Sequence, residues 1–252
     1  MTEPQLRTVK VGDLALRTAT WGNGPVGIVM LHDGLGSISQ WREVPAAIAE
    51  TTGTAVMAYE RAGHGASTPV PSGEWPADWL HREAVAFGQL LSEVGIEEPL
   101  VVGHSDGGSV ALLHAAGASS CAGVLALAPH SWVETVCTDA IAKMRENADR
   151  FVRGLSQHHD APSELFEAWS GVWVGEEFSR WDIRPLLEAI EVPVLIAQGD
   201  SDQYATDAQL FETAAAVGSD TAVEHLAGVG HIIHHEQPET VVSLVADFYR
   251  GL

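Results

Sequence analysis

The sequence predicts an α/β protein whose mostly parallel sheet is flanked by helices and interrupted by a helical insertion. Three observations predict it. Short apolar runs of buried-strand type alternate with segments of helical periodicity. One such run, Leu100 to Val102, passes through a small-residue turn directly into the helical stretch Val110 to Leu113. Strand-like runs are then missing from about Ser131 to Glu191, after which the alternation resumes. The expected division is a core of residues 1–130 and 192–252 with a helical cap at 131–191. A chain of 252 residues that is 46% hydrophobic is long enough to bury one large core.

Residues Leu6 to Thr20 alternate loosely between apolar and polar on either side of Gly12-Asp13, which suggests a hairpin at the start of the sheet. Val26 to Leu31 is a continuous apolar run of buried-strand type. It leads into His32-Asp33-Gly34-Leu35-Gly36-Ser37, a glycine-containing turn able to offer backbone N–H groups to a negative charge. Thr54 to Tyr59 reads as the next strand and ends at Arg61-Ala62-Gly63-His64-Gly65, where Arg61 and His64 are expected to serve as structural hydrogen-bonding groups. Leu80, Ala84, Phe87, Leu91 and Val94 recur at spacings of four and three, one face of a helix.

In the strand-turn-helix at Gly103-His104-Ser105-Asp106-Gly107, the serine needs a strained backbone, and its neighbours two positions away must be small or strand and helix collide. Ser105 is therefore the candidate nucleophile. The N–H of Asp106, opening the next helix, faces any oxyanion formed there, and Gly34 is assigned as the second donor.

Gly123 to Ala128 forms the following strand. The insertion then reads as helices, including Asp139 to Leu155 and Ser163 to Val174, and its natural place is above the strand ends as a lid. Half of the eight tryptophans lie in it. Trp132, Trp169 and Trp173 are candidate substrate contacts in an aromatic pocket. Val192 to Gln198 resumes the sheet and ends at Gly199-Asp200-Ser201-Asp202. A carboxylate just beyond a strand can orient a histidine at the same sheet edge; Asp202 is the first choice and Asp200 the alternative. After a helix around Ala208 to Val217 and a strand around Ala222 to Leu226, His231 opens a loop before the last helix, as the candidate base. His234 and His235 lack a matching metal-ligand set, so no metal and no organic cofactor is expected.

The order nucleophile, acid, histidine, with the first member on an elbow, resembles the α/β-hydrolase superfamily over almost the whole chain. The match is carried jointly by His32-Asp33-Gly34, Arg61 to Gly65, the elbow, Gly199 to Asp202, and Gly230-His231 with Pro238. The resemblance implies an α/β-hydrolase fold with a helical lid, Asp202 as triad acid and His231 as base. Superfamily members commonly carry glycine directly after the oxyanion-loop histidine; here Asp33 stands there, and Asp33 and Asp106 could place two carboxylates near the pocket. The elbow, the Gly34 to Ser37 loop and Ala128-Pro129-His130 look like those of serine-dependent macrolide esterases, and the elbow also like that of valacyclovir-hydrolase-like enzymes.

The expected function is thus a serine esterase acting on a bulky ester or lactone, with an amine on the substrate held by Asp33 or Asp106. Two alternatives are a carbon-carbon bond hydrolase of the same fold and a ligand receptor with a slow triad. The formal net charge of -21, with Lys10 and Lys143 the only lysines, argues against nucleic acid or an anionic membrane as partner. Two cysteines, Cys121 and Cys137, fit no metal motif or disulfide scaffold and suit a reducing cytoplasm. No apolar run is long enough to cross a bilayer and the first ten residues lack a signal-peptide pattern, so a small-molecule enzyme free in the cytoplasm is expected.

Overall fold

The computed structural model describes residues 3–69, 75–117, 120–218 and 221–252. Its frame is an eight-stranded sheet, which in chain order comprises β1 (Gln5–Val11), β2 (Leu14–Trp21), β3 (Val26–Leu31), β4 (Ala55–Tyr59), β5 (Leu100–His104), β6 (Gly123–Leu127), β7 (Val194–Gly199) and β8 (Thr221–Leu226). The spatial order is β1-β2-β4-β3-β5-β6-β7-β8. β1 and β2 form the expected hairpin around Gly12-Asp13, β2 runs antiparallel to β4, and every pairing from β4 to β8 is parallel.

A parallel strand buried on both faces reads as an unbroken apolar run whose side chains alternate between two cores. In β3, Val29 and Leu31 enter one core with Val101, Val124 and Ile196, while Ile28 and Met30 enter the other with Val102, Leu125 and Ala197. Helices α1 (Val44–Thr52), α2 (Trp79–Val94) and α3 (Asp106–Ala116) follow β3, β4 and β5. The Phe87 and Leu90 face of α2 packs into the first core and the Ile48 face of α1 into the second.

Between β6 and β7 the chain forms α4 (Thr135–Arg145), α5 (Ala148–Leu155), α6 (Pro162–Trp173) and the single turn α7 (Arg184–Leu187), with no strand. The one helix expected over 139–155 is two, because Asn147 leaves the helical region at φ -123, ψ 32 and starts α5 afresh. The strand expected from Val192 begins at Val194, since Pro193 has no N–H to enter the ladder. The fold closes with α8 (Asp207–Val217), β8, the short α9 (Ile233–Glu236) and α10 (Pro238–Gly251), whose Val241 and Val245 are buried on the α1 side. Because β3 to β8 are parallel, their carboxyl ends share one edge, the place where open α/β sheets bind ligands.

Candidate active site

Ser105 stands at that edge between β5 and α3. Its backbone is held at φ 53, ψ -119, a conformation that costs a non-glycine residue energy and persists only where the surroundings enforce it. Two features enforce it. The Ser105 N–H donates to the Leu127 carbonyl of β6 at 2.8 Å. The turn is also pressed against its neighbours: a Cβ on Gly103 would overlap the Gly107 carbonyl, and one on Gly107 would overlap the carbonyls of Leu31 and His32.

His231 lies beyond β8 and reaches both other groups. Its Nε2 is 2.9 Å from Ser105 Oγ and its Nδ1 is 2.8 Å from Asp202 Oδ2. An ionised carboxylate can only accept, so Nδ1 carries the proton, and Nε2 is left as the acceptor for the serine hydroxyl. Asp202 is held in turn by the Tyr204 N–H on its other oxygen at 2.8 Å. Burial works against its charge, but the hydrogen bond and charge of His231 keep its carboxyl below the usual carboxylate range. Asp200, the alternative acid, instead accepts from the Gly228 N–H at 2.7 Å and the Ser201 hydroxyl at 3.0 Å, a loop role.

The loop after β3 is clamped from behind by Arg61 and His64. Arg61 Nη1 donates to the His32 carbonyl at 2.6 Å and Nη2 to the Asp33 carbonyl at 2.8 Å, while His64 Nε2 meets the Gly34 carbonyl at 3.0 Å. In a trans peptide the carbonyl and the following N–H point in opposite directions. Fixing the Asp33 carbonyl on Arg61 therefore turns the Gly34 N–H the other way, and Gly34 lines the cavity that contains Ser105. Among the described residues neither this N–H nor that of Asp106 donates to another protein group. Both are free donors beside the serine, the arrangement that can hold an oxyanion.

Gly34 is tight for a further reason. A Cβ there would overlap the Trp169 indole nitrogen and an Asp106 carboxylate oxygen, which are hydrogen-bonded to each other at 2.8 Å. Asp106 is almost fully buried, and burial pushes its carboxyl up to about 6 despite opposing help from Arg61 and Trp169. Between the ordinary value of 3.8 and about 6 the folded protein keeps a proton that the unfolded chain has released. The contribution of Asp106 to stability accordingly falls as pH rises through that window and levels off above it. Asp106→Asn is expected to be about 1–3 kcal/mol more stable than the wild type at pH 8 and to lose this slope, as read by urea unfolding at pH 4 and pH 8. Equal stabilities at pH 8 would show that the carboxylate is not desolvated.

The cavity has a volume of about 230 Å³. Its floor is polar, with Ser105, His231, Asp106 and Asp33, and its roof is supplied by Met144, Phe151, Trp169 and Trp173 of the segment 131–191. Trp132 is not brought there. It pairs with Asp182 in an isolated antiparallel bridge, and the Arg184 guanidinium covers its ring at 4.2 Å, so its indole is committed elsewhere. A larger open groove of about 710 Å³ runs past residues 156–160 and holds none of the three converging side chains, so the smaller cavity is the one equipped for chemistry.

Asp33 lines the cavity, but its Oδ1 accepts the Leu35 N–H at 3.0 Å and its Oδ2 lies 3.5 Å from His104 Nδ1. Sequence reasoning missed His104, whose Nε2 also meets the His231 carbonyl at 2.8 Å, and Tyr204, whose ring packs edge-on to His231 at 4.9 Å. His104 directly precedes Ser105 and Tyr204 follows Asp202 by two positions, which is the signal the sequence offers for them. His235 meets the Gln40 carbonyl at 2.7 Å and His234 packs on Trp41. Among the described residues no group of three or more His, Cys, Asp or Glu side chains could hold a metal ion.

Comparison with known proteins gives concordant results. The sequence pattern of the family described as the alpha/beta hydrolase family matches residues 28–244. A non-heme haloperoxidase from Rhodococcus erythropolis is 26% identical over 244 residues, covering 84% of this chain and 87% of that protein. A bifunctional esterase/perhydrolase from Acinetobacter calcoaceticus is 25% identical over 216 residues, covering 73% and 77%. The crystal structure of a serine hydrolase involved in carbazole degradation superposes with a TM-score of 0.79 at 18% identity, over 99% of this chain and 100% of that one, a likeness of fold.

Proposed function

The chain belongs to the alpha/beta hydrolase family, and from that premise we propose that it is a serine hydrolase cleaving a small carboxylic ester or lactone through an acyl-enzyme. The observation that carries this reading is the continuous line from Asp202 through His231 to Ser105, with distances of 2.8 and 2.9 Å. The esterase activity named for the Acinetobacter relative points the same way.

His231 Nε2 takes the Ser105 proton as Oγ attacks the ester carbonyl, and Asp202 stabilises the imidazolium that results. The negative oxygen of the tetrahedral intermediate rests on the N–H groups of Gly34 and Asp106. Collapse expels the alcohol, which leaves with the proton held by His231. Water then attacks the acyl-enzyme, giving its proton to His231 and restoring the Ser105 hydroxyl as the acid departs. A fluorophosphonate should label Ser105, seen as a mass shift on its peptide. A fully active protein that takes up no label at Ser105 would overturn the reading.

The segment 131–191 acts as a cap over the cavity. At about 230 Å³ the space is below the range of roughly 300–1,000 Å³ that encloses drug-sized ligands, so it suits a compact acyl group. An amine on the substrate would meet Asp106, whose buried carboxylate gains a counter-charge; Asp33 already faces His104 and the Leu35 N–H and contributes less. Asp106→Asn should therefore weaken an amino ester by about tenfold relative to its neutral analogue. The described cavity lining includes no arginine or lysine, which favours an ester over the anionic substrate of a carbon-carbon bond hydrolase. No helix among the described residues is long and apolar enough to cross a membrane. Cys121 and Cys137 are free and buried, in keeping with a cytoplasmic enzyme.

A further inference from the structure

We infer that the segment 131–191, beyond covering the cavity, positions both peptide groups of the oxyanion site, through His159 at one end and Trp169 at the other. The kinetic consequence rests on the serine-hydrolase reading; the contacts themselves do not.

His159 lies in the turn between α5 and α6 and is only 5% exposed. Its Nδ1 accepts the Gly65 N–H at 2.9 Å, which leaves Nε2 to donate to the Leu35 carbonyl at 3.0 Å. Both bonds together require the neutral ring with its proton on Nε2. Burial lowers the pKa of this imidazole, which keeps it in that form. The neighbouring residues secure the same junction: the Asp160 N–H donates to the Gly65 carbonyl at 3.0 Å, and His158 Nδ1 meets the Ser39 hydroxyl at 2.7 Å.

Three consecutive carbonyls of the loop after β3 are thereby held by three different side chains. Asp33 is held by Arg61 and Gly34 by His64, both from the turn after β4. Leu35 is held by His159, from the capping segment. His159 also grips Gly65, the residue after His64, so it braces the clamp on Gly34 as well as the loop itself. At the other end, Trp169 on α6 donates to the side chain of Asp106, the first residue of α3, whose N–H is the second proposed donor.

An oxyanion exists only after attack, so donors that drift by a fraction of an ångström lose transition-state stabilisation while ground-state binding is little altered. His159 and Trp169 are positioning residues on this account, since the ring N–H of each is engaged by a protein oxygen, the Leu35 carbonyl and the Asp106 carboxylate. Their signature is a loss in kcat with KM preserved, where a residue that only packs the cap would disturb substrate binding or stability.

The test compares wild type, His159→Phe, His159→Gln and Trp169→Phe in hydrolysis of p-nitrophenyl butyrate, in inhibition by an arylboronic acid, and in amide hydrogen exchange at residues 33–36. His159→Phe and Trp169→Phe are expected to lose roughly tenfold to a hundredfold in kcat with KM within about threefold, and to bind the tetrahedral boronate more weakly by the same factor. His159→Gln, whose amide supplies one donor and one acceptor, should recover to within about threefold of wild type. His159→Phe should also raise exchange at residues 33–36. An unchanged kcat, a loss confined to KM, or unchanged exchange at those residues would overturn the inference. Trp169→Phe removes one N–H from a ring of similar bulk and carries the kinetic test should His159→Phe not fold. A wild type inert towards every ester would instead sink the hydrolase reading, leaving the exchange experiment to decide the clamp.

Discussion

Ser105→Ala is expected to lower ester turnover by about ten-thousandfold or more while leaving the melting transition within a few degrees of wild type. The two halves of this result have separate physical causes. On the proposed mechanism the hydroxyl is the group that forms the acyl bond, and His231 Nε2, 2.9 Å from it, has nothing to activate once it is gone. The strain at φ 53 is paid equally by serine and alanine, because both carry a Cβ, and the anchoring bond from the residue 105 N–H to the Leu127 carbonyl uses only backbone. Turnover of p-nitrophenyl butyrate and thermal unfolding followed by circular dichroism measure the two halves. Wild-type turnover in the alanine variant would end the nucleophilic mechanism.

Gly107→Ala is expected to do the reverse, damaging the fold first and activity as a consequence. The added Cβ would meet the backbone carbonyls of Leu31 and His32, which are held in the sheet and by Arg61 and cannot rotate away as a side-chain tip could. Relief requires α3 to move off β3, at the cost of packing on both sides of the elbow. A loss of about 3 kcal/mol or more is expected, read as a lower urea midpoint or as failure to accumulate soluble protein. Gly154→Ala is the matched control: it lies on an exposed turn of α5 where a Cβ meets nothing within 4 Å. There the same chemical change should stabilise by about 0.5 kcal/mol, since alanine gives up less backbone freedom in a helix. If both substitutions were neutral, close approach at the elbow would not be what selects glycine at 107.

Much of this architecture could be read from the chain without coordinates. The apolar runs at Val26 to Leu31 and Leu100 to Val102 fall on buried parallel strands, as does the run from Gly123 to Ala128 up to Leu127, and the elbow falls between β5 and α3. The helical segment between β6 and β7 also stands where strand-like runs are missing, although its first long helix breaks at Asn147. The candidate site was partly legible, since Ser105, Asp202 and His231 each follow a strand and so arrive at one edge. Arg61 and His64 were expected to be hydrogen-bonding groups, and they hold the carbonyls of His32, Asp33 and Gly34.

Other choices had no local signature. Asp200 and Asp202 differ by two positions in one turn, and only the path of the chain after β8 decides that His231 meets the second. Trp132 and Trp169 were equivalent as aromatic residues of one segment; one ring ended beneath Arg184 and the other against Asp106. His159 carried no signal at all, because its two partners lie 94 and 124 residues away.

By itself, then, the sequence determined the strands of the sheet and their order along the chain, together with the turn that strains Ser105, since those follow from hydrophobic period and from which residues fit a tight backbone. Tertiary structure alone decided which carboxylate faces the imidazole, how deeply Asp106 is buried, and what braces the loop that carries Gly34. Those depend on distances between side chains remote in the chain, and periodicity and local fit carry no information about such distances.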